Sequence, residues 1–537
     1  MSDYFSSVTA VNDSANLSCR GIEDGLADVV ANIGSYACQV ERCVGILLQR
    51  FVYTDSDRCS PKATRLALGI LKVFGRQMSD GGEIATQRAI SGLLKLANTS
   101  YLSSENDSSM SYASDICSNA LTCVANAMLL NPECRAYAAE HQCIDTIVDI
   151  LGAAGNDSTL SFLCARCLFL SLNTIECAQY CVEQHRLQDV LGQTANIFLN
   201  HDDVSTSGKF SSQQVLTEIL KAAMGLCGYA LKWIHADKIS SEKKLVLDDS
   251  FPPDKAVDFI LLLKVALDTL DKAPLEDHHL ASSTKQAVAI VMNFSTIEPQ
   301  AIRDVWLPKG HMWKHVDTIF GLFKDIVYHV VDTFSDDNNL PSAIADTYQA
   351  ELTPLMLVLV RLVSEHPDVR EHLFYKVYPK DAIDFAVLPE NRPGMAAKLV
   401  RLMRSPDSGP FSVSTITGDL LLALLGNDIR QFILTVGYGN AAGYMVARHI
   451  EIPADIIEQV RESSSESGAV NPVTGRYWSQ EDTNQELANM TDEEKEREAE
   501  RLFVLFERLN KTGIIKTANP VRAAAESGRF EELDDCD

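Results

Sequence analysis

An all-α stack of helical pairs is what this sequence predicts, and three observations predict it. Helix-period apolar runs follow one another from about residue 85 to 450, strand-like alternation is scarce, and a recurring punctuation starts new helices. Gly 28 and Pro 18 among 537 residues are below average usage, which favours long helices.

The runs that read as helices cover 86–97, 112–130, 159–172, 213–234, 284–294 and 350–363. Stretches 103–111, 153–158, 202–212, 240–254, 335–340 and 405–414 are short and polar, and are expected to be turns and surface loops. The punctuation reads Asn131-Pro132-Glu133, His366-Pro367-Asp368 and, without the proline, Asn427-Asp428-Ile429. Asn or His at the cap, proline at the first helical position and an acid in the first turn suit the unpaired N–H groups and positive end of a helix. A further match, Asn173-Thr174-Ile175-Glu176, lies 42 residues after the first, and His185 follows His141 by 44. Armadillo and HEAT repeats run about 40–47 residues, because each pair or triplet of helices buries its apolar face only against its neighbours. The spacing points to an α-solenoid and leaves open an irregular bundle that reuses good caps.

Composition changes after Arg448: residues 451–537 carry 21 acidic and 10 basic side chains, and 461–489 is rich in Ser, Glu, Asn and Gln. Such a stretch buries too little apolar surface to order itself. Order is expected to resume at Thr491-Asp492-Glu493-Glu494, a capping box, after which Leu502, Phe503, Leu505, Phe506 and Leu509 form one apolar stripe before Gly513. The expected organisation is a solenoid over 1–450, an acidic Ser-rich linker over 451–490, an amphipathic helix over 491–513 and an acidic tail over 514–537. That helix either docks on the solenoid's end or embraces a partner.

The formal charge of -26 and pI near 4.9 argue against a nucleic-acid or anionic-membrane surface, since either needs concentrated Lys and Arg; protein partners with basic faces are expected. The 14 cysteines are scattered through apolar runs, and residues 1–13 lack a basic segment followed by an apolar core, so reduced buried thiols and a cytoplasmic location are expected. The apolar windows 259–264 and 420–425 are far shorter than the roughly 20 residues a bilayer span requires.

Enzyme signatures are missing. There is no phosphate-binding G-x-x-x-x-G-K-[ST] loop and no G-x-S-x-G elbow. Gly437, Gly439 and Gly443 are spaced wrongly for a dinucleotide fingerprint and follow a helix, so they read as a tight interhelical turn with close packing. Cys164 and Cys167 with Cys177 and Cys181 superficially resemble a zinc quartet, but i,i+3 and i,i+4 spacing also marks a buried stripe; neither metal nor cofactor is expected. Solenoids work by presenting a surface, and polar residues inside helical runs are candidates for it: Asn126, Arg166, Asn293, Arg361, Lys398 and Arg401. Each is open to a plainer account as a satisfied helix–helix hydrogen bond.

Four elements in order resemble one family, the synembryns, also called resistance-to-inhibitors-of-cholinesterase proteins. They are Lys398-Leu399-Val400-Arg401, the Gly-Tyr-Gly-Asn-Ala-Ala-Gly string at 437–443, Asn471-Pro472-Val473-Thr474-Gly475-Arg476, and Met490-Thr491-Asp492 leading into Leu502-Phe503 and Phe506. The similarity is clear over 350–520 and diffuse before it. The resemblance implies an armadillo-type solenoid that binds alpha subunits of heterotrimeric G proteins as a folding chaperone and a non-receptor guanine-nucleotide exchange factor. The nucleotide then belongs to the client, GDP-bound or nucleotide-free. In that family the concave face grips the client's C-terminal helix, and the region after the solenoid meets its GTPase domain.

On this reading the six polar residues line the groove, and Leu502, Phe503, Phe506 and Leu509 form the tethered helix. Ser463, with Glu466 at +3, and Ser479, with Asp482 at +3, fit an acidic-directed kinase, although the linker is shorter than in animal members. A monomer is expected, brought to the cell cortex through its client. The competing expectation is a generic armadillo adaptor that binds extended peptides.

Overall fold

Short polar side chains at helix starts and helix-period apolar runs set the architecture. A computed structural model describes residues 40–53, 59–102, 107–200, 208–235, 250–272, 275–294, 297–333, 342–379, 384–404, 411–451 and 474–477, with isolated positions 23, 24, 26, 27, 30 and 470. The first ten helices are α1 (Val40–Leu47), α2 (Pro61–Gly75), α3 (Gln87–Leu102), α4 (Asp107–Leu130), α5 (Glu133–Ala138), α6 (His141–Ala154), α7 (Ser158–Ser171), α8 (Ile175–His185), α9 (Leu187–Asn200) and α10 (Ser212–Ile234). Then come α11 (Ile260–Lys272), α12 (Ser282–Val291), α13 (Gln300–Trp306), α14 (Lys314–Thr333), α15 (Ser342–Glu365), α16 (Pro367–Val377), α17 (Met395–Met403), α18 (Val413–Leu424), α19 (Ile429–Val436) and α20 (Tyr438–Ala447). Among the described residues there is no named strand, only two isolated bridges.

Packing arranges the helices in two rows. In the first row α2, α4, α7, α10, α12, α15 and α18 each lie against the next; in the second the succession is α3, α6, α9, α11, α14 and α17. The rows join as pairs: α3 with α4, α6 with α7, α9 with α10, α11 with α12, α14 with α15, and α17 with α18. The short helices α5, α8, α13 and α16 each precede a second-row helix, which gives the triplet of an armadillo repeat. The chain is therefore an all-α, armadillo-like solenoid. The described residues of 381–392, 429–442 and 451–537 form a second compact unit.

Burial differs between the rows. α7 is buried at every position except Arg166 and Phe169. α14 instead buries one stripe, Val316, Ile319, Phe320, Phe323, Val327 and Val330, at helical spacing. Phe251 stacks on Phe259 at 4.3 Å and meets Phe294 at a tilt at 5.2 Å, and the three close the core where a loop enters α11.

The punctuation marks the starts of α5, α8, α16 and α19, as expected from the sequence, but the caps differ in detail. Asn131 Oδ1 accepts from the Glu133 amide at 2.9 Å. At α8 the cap is Thr174, which accepts from Cys177 N at 3.1 Å, rather than Asn173. His366 makes no cap bond; its Nε2 accepts from Ile297 N at 3.2 Å. Asn427, at φ 62°, closes α18 by donating its amide to Leu422 O at 3.0 Å instead of capping α19.

Among the described residues the cysteines form no disulfide, and all but Cys59 are buried. Burial pushes the Cys123 and Cys167 thiols up to about 12, so they act as small apolar side chains. No described helix is long and apolar enough to cross a membrane. The expected amphipathic helix at 491–513, Ser463, Ser479 and the acidic tail lie outside the described residues.

Candidate functional site

The Arg166 side chain is where the first row turns polar. Its Nε and Nη2 donate to Glu218 at 3.2 and 3.0 Å, and its Cζ lies 4.6 Å from the centre of the Phe162 ring. Glu218, on α10, also receives Lys221 at 2.8 Å. Burial pushes the Glu218 carboxyl up, but the Arg166 and Lys221 bonds outweigh it and hold it below its usual value.

Beside this pair lies a concavity of about 380 Å³ lined by α2, α4, α7 and the turn before α10, including Lys72, Arg76, Asn126, Phe162, Arg166 and Lys209. A second, of about 370 Å³, shares Phe162 and Arg166 and continues over Gln214, Thr217, Glu218 and Glu276. Together they form a groove across the first row.

Local chemistry builds the groove wall. Asp157 caps α7 by accepting from Thr159 N and Leu160 N at 2.9 and 3.1 Å, which leaves the Ser158 and Thr159 hydroxyls free for other partners. Thr159 Oγ1 accepts from Lys209 N at 2.8 Å and Ser158 Oγ from Phe210 N at 3.2 Å. Gly208, at φ 121°, makes this approach possible, because a Cβ there would meet Ser158 Oγ at 2.5 Å. Phe210 thereby stacks on Phe162 at 3.8 Å, and Lys209 projects over the concavity.

The groove's electrostatics oppose those of the chain. Lys72 donates to Asn119 at 2.8 Å, and Arg76 and Lys209 form no ion pair among the described residues. Burial, with Lys209 and Arg76 close by, pulls the Lys72 ammonium below its usual pKa. The Asn126 Nδ2 is buried in the groove floor without a hydrogen-bond partner. Three neighbouring cations and an unused amide donor thus give this groove a positive, donor-rich lining in a chain of charge -26.

Of the residues expected from sequence, Asn126 and Arg166 meet in this groove. Asn293 and Arg361 meet elsewhere: Asn293 Nδ2 donates to Ala289 O and Ile290 O at 2.8 and 3.1 Å, and Arg361 Nη1 donates to Met292 O at 2.6 Å. Both close the C-terminal end of α12. Lys398 and Arg401 are on α17 in the second row, where Lys398 pairs with Asp332 and its Nζ lies 4.5 Å from the Tyr328 ring centre. Leu502, Phe503, Phe506 and Leu509 lie outside the described residues. Sequence reasoning missed Lys72, Arg76 and Lys209, which come from two separate stretches; the signal was a helical i,i+4 pair of cations at the end of α2.

Asp268, Asp271 and His315 converge within the reach of one metal ion, but Lys314 already brings its ammonium to 2.6 Å from Asp271. With His315 at 3.0 Å and Thr318 donating at 2.7 Å, the cluster reads as an ion-pair staple between α11 and α14.

The second compact unit joins motifs distant in sequence. Gly437 has φ 77° and Gly475 φ 73°, and a Cβ on Gly437 would fall 2.8 Å from Thr474 O. The expected tight turn is present at Gly437, whereas Gly443 has nothing within 4 Å where a Cβ would stand, so the close packing expected there is not found.

Residues 67–529 match one protein family, described as guanine nucleotide exchange factor synembryn. A synembryn-like chaperone from Schizosaccharomyces pombe is 30% identical over 204 residues, 35% of this chain and 37% of that protein. A chaperone named Ric-8A from Xenopus tropicalis is 32% identical over 195 residues, 34% of each chain. Its counterpart from Macaca fascicularis is 30% identical over 173 residues, 31% of this chain and 32% of that one. Each alignment thus spans about a third of the relative's length.

Proposed function

The chain belongs to the synembryn family, described as guanine nucleotide exchange factors, and on that premise we propose that it binds alpha subunits of heterotrimeric G proteins as a folding chaperone and exchange factor. The groove over α2, α4, α7 and α10 receives the client's C-terminal helix. The observation that carries this reading is the cluster of Lys72, Arg76 and Lys209 around the unused Asn126 donor. A helix ends in a free or partial negative charge at its C-terminus, and such a cluster complements it. Phe162 and Phe210 offer an aromatic wall for the helix's apolar face, and Arg166 sits where the two concavities join.

The mechanism is differential binding. A protein that holds the alpha subunit with its C-terminal helix withdrawn favours the nucleotide-free conformation over the GDP-bound one, so GDP leaves. GTP favours the compact conformation and, by reciprocity, weakens the complex. No bond is made or broken by this chain, and the guanine nucleotide is the client's. The same grip shields an incompletely folded client, which is the chaperone role.

Lys398 and Arg401 then serve the second row and the tethered helix of Leu502, Phe503, Phe506 and Leu509 reaches the client's GTPase domain, with Ser463 and Ser479 as phosphorylation sites in the linker. A cytoplasmic protein drawn to the cell cortex by its client fits this activity. The test measures GDP release from purified alpha subunits with and without the chain, together with isolation of a nucleotide-free complex. Accelerated release and a complex that GTP dissolves are expected. Failure of both with every alpha subunit of the same organism overturns the reading.

A further inference from the structure

Arg392 stands in the loop before α17 with 5% of its surface exposed. Its guanidinium binds backbone on several sides. Nε donates to Asp384 O at 2.9 Å and Val387 O at 3.2 Å, Nη1 to Thr435 O at 2.8 Å, and Nη2 to Gly475 O at 2.6 Å. The Phe385 ring lies beneath, its centre 5.1 Å from Cζ. The acceptors come from three stretches far apart in sequence: the 384–392 loop, the last turn of α19, and the turn at 474–477.

Other contacts fasten the same three stretches. Tyr477 N donates to Phe385 O at 2.8 Å, and Asn440 Nδ2 donates to Glu390 at 2.9 Å and Val436 O at 2.8 Å. A Cβ on Gly475 would fall 2.8 Å from Pro389 Cγ and 3.1 Å from Gly437 N. The Gly-Tyr-Gly-Asn element and the Thr474-Gly475-Arg476 end of the next element are therefore two halves of one joint. Only backbone without side chains approaches this closely, and both glycines also need left-handed φ.

A guanidinium is the group that suits such a joint. Its donors point outward in a rigid planar fork, so one side chain reaches carbonyls lying in several directions and stays charged while buried. A lysine ammonium is a compact point at the end of a flexible stem and cannot span the Thr435 and Gly475 carbonyls along with those of the loop.

We propose that Arg392 is a positioning residue that pins the 474–477 turn to the junction after α19, and so sets where the chain beyond Tyr477 begins its course towards the client. The pinning stands on the geometry alone; its consequence for the client rests on the exchange-factor reading. Without the pin, the groove still takes the client's C-terminal helix, but the following segment starts from no fixed point, and nucleotide release loses its second contact.

The full-length chain, Arg392→Lys and Gly475→Ala are compared by amide hydrogen exchange, by GDP release from an alpha subunit, and by binding of a synthetic peptide of that subunit's C-terminal helix. In both variants the 474–477 amides exchange at least tenfold faster, while peptides from α7 and α10 keep wild-type protection. GDP release slows at least tenfold and peptide affinity changes less than twofold. Wild-type protection at 474–477 in Arg392→Lys overturns the pin. Lost protection with unchanged GDP release overturns the positioning role, and so does an equal loss of peptide affinity. If the wild-type chain itself neither frees GDP nor binds peptide, the exchange-factor reading fails, and the amide exchange still decides whether Arg392 pins the turn. Gly475→Ala keeps the test open should Arg392→Lys not fold, because it breaks the joint from the opposite side.

Discussion

The groove and the joint are both polar, and they use polarity in opposite ways. In the joint the Arg392 guanidinium is turned inward and its donors meet carbonyls from three stretches of backbone. In the groove Lys72, Arg76 and Lys209 repel one another, and Asn126 keeps a buried donor that bonds to nothing. Satisfied inward polarity fixes a local geometry; a buried donor without an acceptor, such as the Asn126 amide, is a cost that a bound acceptor removes. The difference separates residues that shape the fold from residues to which the proposed function gives a client.

The strongest way to break this comparison is to reverse the groove's charge. Lys72→Glu, Arg76→Glu and Lys209→Glu together should weaken alpha-subunit binding by about 100-fold or more, chiefly through slower association that added salt now speeds instead of slowing. The melting temperature should stay within about 2 °C, because Arg76 and Lys209 are exposed, the half-buried Lys72 gives up only its bond to Asn119, and charges without ion pairs contribute little to folding. Binding kinetics at two salt concentrations beside a thermal melt decide it. A collapsed melt with intact binding would place these cations on the side of the fold.

Arg166 sharpens the comparison because it belongs to both classes. It faces the groove, yet its partner Glu218 has only 5% of its side chain exposed. Arg166→Ala leaves that carboxylate with Lys221 alone and should lower stability by about 1–2 kcal/mol, less than for a fully orphaned buried charge. Arg166→Ala with Glu218→Gln should recover most of the stability and none of the client affinity. Thermal melts and client binding for the single and double variants separate the two contributions; recovery of both would make Arg166 purely structural.

Much of this architecture was legible in the sequence, and the limits have physical causes. Five of the six apolar runs singled out, those of α4, α7, α10, α12 and α15, belong to the first row, whose helices are buried on several sides and read as dense apolar stretches. The second row, as in α14, alternates a buried stripe with charge and is quieter. Asn131 and Pro367 announced their helices; the Pro299 start of α13 went unnoticed because no Asn or His precedes it. Arg166 was visible as the cation inside an apolar helix. Asn293 and Arg361 look alike in sequence, and only coordinates reveal that their polar heads close α12. Arg392 was beyond reach, since its meaning lies in carbonyls that sequence cannot place.

The smallest expected effect concerns a polar contact of the inward kind. His366 Nε2 accepts from Ile297 N at 3.2 Å, joining the start of α16 to the loop before α13. Burial, and then the nearby Arg303 guanidinium, depress its pKa, against a weaker opposing pull from Glu298 and Asp368. A histidine with a depressed folded pKa is protonated more readily when unfolded. Its contribution is therefore complete above the ordinary histidine value, about 6.5, and is lost as pH falls below that value towards the folded one. Protonation also sets an N–H against the Ile297 N–H, where an acceptor is needed. Between pH 7 and pH 5.5 the wild-type melting temperature should drop further than that of His366→Gln, by about 1–2 °C, as expected of a sub-kcal term in a long chain. The subtraction is needed because the chain holds other histidines, among them His185, His315 and His372, each against an aspartate. Parallel slopes for the two proteins would mean that the Ile297 contact adds nothing to the junction, and that inward polarity here is as idle as the groove's is without its client.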